Sequence, residues 1–261
     1  MKRVDSVISL IYSMSKAEKK AFSVQMLKDK EEKDYLVIYD IITKSKQLDS
    51  KNVKGEFHKR RPGGSFEVSI QYLYERLTDS LLTLRKKKDI YYDLLNNLCK
   101  ARMLYERSLF EECFEILSDT IEQATYYENN EVLTIALKLE LEYLLRLNFP
   151  NLAESELYHK HFMFDEAQKK TRKIVEQSSL HNLLKYRLSH IGSIRTSKQK
   201  QDMNDLMVNE LSIAASSGIE GNFELMRNHR LFQANYLMGA REYKTALNSY
   251  KELSRLFEQN R

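Results

Sequence analysis

The side chains most able to do chemistry are few and scattered. Glu156-Leu157-Tyr158-His159 is a single Glu-x-x-His pair, a spacing that puts a carboxylate and an imidazole on one face of a helix. Carboxylate-bridged di-iron bundles use two such pairs plus two further carboxylates, and none of the other five histidines follows a glutamate at that distance. His159 and His161 are two residues apart, so a helix turns them to different faces. Gly63-Gly64, after Arg60 and Arg61, has the composition of a phosphate-cradling nest, but no strand leads into it. No Walker, dinucleotide-binding, zinc-protease or nucleophile-elbow motif occurs. These residues predict no catalytic centre, no metal and no cofactor, and the chain reads as a non-enzyme.

The remaining chemical signal is charge. Residues 1–90 hold 20 Lys+Arg against 13 Asp+Glu, and residues 91–261 hold 22 against 24, so the basic excess lies in the first third. Its clusters are Lys59-Arg60-Arg61 and Arg85-Lys86-Lys87-Lys88, and Lys169-Lys170 with Arg172-Lys173 lies further on. Clustered cations are what a phosphate backbone binds. Lys59, Arg60, Arg61, Lys86 and Lys87 are therefore the candidate nucleic-acid contacts. The cations at 85–88 also have a purely structural reading, because they end a helix where positive charge suits the dipole.

The elements that must position these residues are helical. The chain has only 7 Gly and 2 Pro in 261 residues, with 42% hydrophobic and 30% charged side chains. Sandwiches and turn-rich α/β folds need more punctuation than that, so the expectation is an all-α protein with a real core. Cys99 and Cys113 form no CxxC and both fall in stretches that read as buried helix, which fits a reducing compartment. Asp5, Ser6 and Ser9 interrupt the first apolar stretch, against a signal peptide, and no run approaches a membrane span. A cytoplasmic protein is expected.

Val4, Val7, Ile8, Ile11 and Met14 recur at helical spacing. Ser15-Lys16-Ala17-Glu18 has the form of a capping box, predicting a new helix from about residue 16. Tyr35, Ile38, Tyr39 and Ile42 mark a third helix. Residues 47–64 are the least ordered stretch by composition, ending in Arg60-Arg61-Pro62-Gly63-Gly64. Ser65 then caps a long helix striped with Phe66, Ile70, Leu73, Leu77, Leu81 and Leu84. Beyond residue 90 four helix pairs can be drawn: 90–108 with 110–128, 131–148 with 150–168, 172–190 with 199–217, and 222–238 with 241–258. The breaks are Glu128-Asn129-Asn130, Asn148-Phe149-Pro150-Asn151, Ser217-Gly218 and Gly239-Ala240. A period near 40 residues marks an α-solenoid. Residues 195–205 read as a polar insertion, and they and 47–64 are the expected mobile segments. The domain reading is a helical module over 1–88 and a helical-hairpin array over 89–261.

Two of these pairs resemble tetratricopeptide repeats. Ala234, Leu237, Tyr243, Ala246 and Tyr250 fall at the spacing of that motif's small, large and aromatic packing residues, and Ala101, Leu104, Phe110, Cys113 and Leu117 repeat it. Small residues let two helices of a hairpin approach closely. Ser15-Lys16-Ala17-Glu18-Lys19-Lys20-Ala21-Phe22 and Gln71-Tyr72-Leu73-Tyr74-Glu75-Arg76-Leu77 resemble the opening of a group of bacterial proteins in which a small helical module precedes tetratricopeptide-like repeats. The resemblance implies a right-handed α-α superhelix whose first helices line a concave groove, and it implies no activity. Asn228 and Asn235 lie seven apart on one such helix, and Arg102 matches Asn235 in the first pair. These three are the candidate partner-binding residues. The expected function is a non-catalytic scaffold for another protein or a peptide, with homodimerisation compatible. The alternative is a nucleic-acid-associated or regulatory factor acting through the basic first third. Some relatives in that group continue further, and the last pair ends at Arg261 with no polar capping helix, so a longer natural chain is conceivable.

Overall fold

The computed structural model describes residues 2–26, 33–44, 49–86, 88–191, 196–216 and 222–259. Within them the chain is helical with no strand, so the all-α expectation holds. It divides into two compact units, Met1–Asp93 and Leu94–Arg261.

The first unit is built on α1 (Lys2–Ser13), α2 (Lys16–Met26), α3 (Asp34–Lys44), α4 (Ser50–Arg60) and α5 (Phe66–Lys86). α1 buries Val4, Val7, Ile8 and Ile11. The capping box at its end forms: the Glu18 amide donates to Ser15 Oγ (3.2 Å) and the Ser15 amide to Glu18 Oε2 (2.8 Å). Those bonds, the backbone one first, hold the Glu18 carboxyl below its ordinary pKa. α5 packs against each of α1 to α4 through Phe66, Ile70, Leu73 and Leu77, while Leu81 and Leu84 are only half-buried.

One expectation fails in this unit. Residues 50–60, read as part of the least ordered stretch by composition, form α4. Asp49 caps it by accepting from the Asn52 amide (2.8 Å), and Val53 and Phe57, four apart, are fully buried. Two apolar residues on a polar helix suffice when they reach a shared core. The Pro62-Gly63-Gly64 turn then presses directly on that core. A Cβ at Gly64 would come within 2.8 Å of both Phe57 Cζ and Asp34 Oδ2, so no larger residue fits without displacing a sealed ring.

The second unit comprises most of α6 (Ile90–Glu106), then α7 (Phe110–Tyr126), α8 (Asn130–Arg146), α9 (Glu154–Ile191), α10 (Ser197–Ser216), α11 (Phe223–Gly239) and α12 (Tyr243–Gln259). The unit boundary falls in the first turn of α6 rather than ahead of it. α8 packs on α7 and α9, and α11 packs on α9, α10 and α12.

The helices expected at 150–168 and 172–190 are one uninterrupted 38-residue helix, α9. The Lys169–Lys173 stretch contains no glycine, proline or working cap. The Thr171 hydroxyl donates to the Ala167 carbonyl (2.9 Å) inside the helix. Lys169 pairs with Asp165 and Glu166, and Arg172 with Glu176, and such i,i+3 and i,i+4 pairs favour continuation. Residues 197–205, read as an insertion, open α10, and Thr196 with Gln199 forms its capping box. The Ser217-Gly218 break and Lys87 lie outside the described residues.

The turns after α6, α7 and α11 share one geometry. Ser108, Glu128 and Arg241 take φ of 60°, 51° and 65°, and the next residue's amide reaches back to close the helix: Leu109 to Leu104, Asn129 to Ala124, Glu242 to Leu237. This is the Schellman closure, normally made with glycine. Asn148 repeats it after α8, with Phe149 bonding back to Leu144. Gly239 serves packing instead, since a Cβ there would lie 2.4 Å from Leu188 Cδ2 on α9.

Two substitutions test this account by equilibrium denaturation. Gly64→Ala should destabilise the chain by about 1–3 kcal/mol, the usual cost of overpacking a filled core. Ser108→Gly should stabilise it by about 1 kcal/mol by relieving the left-handed penalty of a residue bearing Cβ.

Candidate functional site

The three groove candidates sit in different surroundings. Arg102 on α6 is exposed and pairs with Glu106 one turn on (3.3 Å). Asn228 on α11 is only 7% exposed. Its Oδ1 accepts from Arg227 Nε and Nη2, so it is turned inward rather than offered to a partner. Asn235, two turns on, is half-buried and central.

Asn235 joins three helices. Its Nδ2 donates to the Leu231 carbonyl within α11 and to His181 Nε2 on α9, both at 2.9 Å. Its Oδ1 accepts from Tyr250 Oη on α12 (3.3 Å). With the amide as donor, Nε2 is the unprotonated ring nitrogen and the imidazole is neutral. Burial, and then the Lys185 ammonium, lower the His181 pKa, which favours that neutral form.

The same helices carry a buried polar layer. His181–Asn235 and Leu188–Gly239 set α9 and α11 running in the same direction. Tyr236 Oη donates to Asn204 Oδ1 (2.6 Å), and His229 Nδ1 meets Glu210 Oε1 (2.7 Å), so α10 runs opposite to α11. Gln177, one turn before His181, is 1% exposed and Glu210 is fully buried. Both Gln177 amide atoms, Glu210 Oε2 and Asn228 Nδ2 find no hydrogen-bond partner among the described residues.

A cleft of about 400 Å³ opens between α7, α8 and the first half of α9. Ile121, Leu137 and Met163 supply apolar wall, and Glu140, Glu156, His159 and Lys160 supply charge and polarity. Glu140 sits on the buried face of α8, its side chain 7% exposed; Oε1 takes Lys160 Nζ at 2.7 Å and Oε2, sealed from solvent, has no partner among the described residues. A carboxylate so enclosed needs every donor it can gain. Sequence reasoning missed this pair, although Glu140 shares the helical register of Leu133, Ala136, Leu137 and Leu144, all buried. The Glu156–His159 pair noted from spacing lies on this rim, where both side chains are exposed.

The basic residues of the first unit are mostly engaged. Lys59 pairs with Glu56 (2.8 Å), Arg60 with Asp40 (3.0 Å) and Arg61 with Asp34 (3.7 Å). Lys86 ends α5. Cys113 is buried, which raises its thiol pKa, whereas Cys99 is exposed, contrary to its expected burial. Leu98 and Ala101, its neighbours on α6, take the inward positions instead.

No family model matches the chain, and no curated protein or solved structure is significantly similar to it. Among the described residues no cluster of three His, Cys, Asp or Glu side chains could hold a metal ion, and no helix is long and apolar enough to cross a membrane.

The His181 shift gives a pH test. A histidine whose folded pKa lies below the unfolded value of about 6.5 binds fewer protons in the folded state, so stability is full above that value and falls as pH drops through the folded pKa. Urea denaturation between pH 7.5 and 5 should show a decline that is shallower in His181→Gln, which keeps a polar side chain but cannot titrate.

Proposed function

We propose that this chain is a non-catalytic scaffold that binds another protein or a peptide through its second unit, arranged as a tetratricopeptide-like right-handed superhelix. The observation that carries the reading is the α7–α8–α9 cleft: a preformed hollow with apolar walls and the carboxylates of Glu140 and Glu156 in its lining. Such a hollow receives one side chain of a partner with little reorganisation, which is how a few buried contacts come to dominate an interface. Two further features support a repeat array. The small residues Ala101, Cys113, Ala234 and Ala246 are all fully buried, as close helix approach requires. The left-handed turn residues Ser108, Glu128 and Asn148 recur every twenty positions, a regular pace of helix plus turn. Asn235 and Arg102 contribute polar contacts on the first helices of their pairs.

The alternative, a nucleic-acid-associated factor using Lys59, Arg60, Arg61, Lys86 and Lys87, draws less support. Three of these cations already face carboxylates, and phosphate would have to compete for them.

The two readings separate in one experiment. The immobilised full chain is offered a random displayed-peptide library and, in parallel, a labelled DNA and RNA pool. Enrichment of a peptide motif whose capture weakens in Asn235→Ala, and survives Arg60→Gln with Arg61→Gln, is the expected outcome. Capture of nucleic acid alone, lost in the double arginine variant, would overturn the scaffold reading.

A further inference from the structure

We infer that the α7–α8–α9 cleft takes a basic side chain, arginine or lysine, from an extended cationic segment of a partner protein. The inference rests on the scaffold reading above and adds the chemistry of the ligand.

Three observations converge. The first is the Glu140 carboxylate. Lys160 takes Oε1, while Oε2 is shielded from solvent and has no hydrogen-bond partner among the described residues. With Glu156 also on the lining, the cleft holds two carboxylates against one ammonium. A guanidinium or ammonium seated in the cleft balances that charge.

The second is the wall. Ile121, Leu137 and Met163 present apolar surface beside that carboxylate. An arginine or lysine has the matching anatomy, a methylene stem that packs on apolar surface below a charged head. A small inorganic cation would gain nothing from these residues.

The third is the approach. No lysine or arginine occurs between Arg107 and Lys138. Across that span Glu111, Glu115, Ser118 and Glu122 line up at helical spacing on α7, with Asp119 beside them, all exposed. Ser118 lies on the cleft's edge, so the acidic row leads into it. One turn further, Tyr126 and Tyr127 stand 79% and 53% exposed with their rings perpendicular and 5.0 Å apart, above a second hollow shared with Asp119 and Glu122. Carboxylates interleaved with open tyrosine faces attract cations by charge and by cation–π contact.

The test uses the full chain and a short fluorescein-labelled alanine–arginine peptide, with citrulline replacing arginine in a matched neutral control. Fluorescence anisotropy should show saturable binding of the arginine peptide and at least about tenfold weaker binding of the citrulline one. Glu140→Gln should weaken the arginine peptide by about tenfold. Because that change also strips Lys160 of its partner, Asp119→Asn with Glu122→Gln serves as the second variant. Both sites are exposed, so the fold is retained, and the affinity should drop about threefold with a shallower dependence on salt. Equal binding of the arginine and citrulline peptides, or full affinity in both variants, would overturn the inference. If the displayed library instead yields uncharged peptides sensitive to Asn235→Ala, the scaffold reading stands and the basic-ligand inference falls.

Discussion

Continuity of α9 is the constraint on which the second unit depends. Thirty-eight residues at 1.5 Å each make a rod of about 57 Å, long enough to serve two layers in turn. Its first half carries Lys160 to Glu140 on α8, and its second half carries His181 to Asn235 on α11 and Leu188 to Gly239. Breaking it near Thr171 would uncouple the cleft from the Asn235 node. The helix survives there because the hydroxyl that could have capped a new helix is spent on an internal carbonyl, and because the flanking charges are arranged in favourable pairs. Glu128 adds a second tie across this span. Its carboxylate accepts from the Phe223 amide at the start of α11 (2.8 Å), where negative charge meets the positive end of a helix.

Turn chemistry explains how so few glycines suffice. Ser108, Glu128, Asn148 and Arg241 occupy left-handed positions that glycine would fill more cheaply, and each closure is held by a backbone bond from the residue that follows. The two described glycines under tight constraint do a different job. Gly64 lets a turn lie against Phe57, and Gly239 lets α11 lie against α9. In both cases the absent Cβ is a steric requirement of packing.

Polar burial divides into two kinds. Around Asn235 the bonds are matched: a neutral imidazole accepts, an amide bridges, and a phenol donates. Around Gln177, Glu210 and Glu140 the matching is incomplete within the described protein. Incomplete satisfaction costs stability wherever it is buried, and sites of function are where proteins tolerate such costs. At Glu140 the unmatched atom belongs to a residue lining an open cleft beside an acidic, tyrosine-bearing helix, and the functional reading centres there.

Sequence alone determined the helical class, the first helix and its capping box, the second and third helices, the long helix from Phe66 and the approximate positions of α6, α7, α8, α10, α11 and α12. Those features are local: they rest on 3.6-residue periodicity, side-chain caps and the scarcity of breakers. It also held the acidic span between Arg107 and Lys138 and the inward register of Glu140, signals legible but easily passed over beside louder basic clusters. Tertiary structure decided the rest. α4 exists because Val53 and Phe57 find a core made by distant helices, and composition could not show that. Asn228 and Asn235 share a helix face by spacing, yet one is sealed and the other bridges three helices, because α9 and α10 cover that face unevenly. The cleft itself joins residues from three helices, and only their packing brings Ser118, Glu140 and Lys160 together, since proximity in a folded chain is set by which apolar faces meet rather than by distance along the sequence.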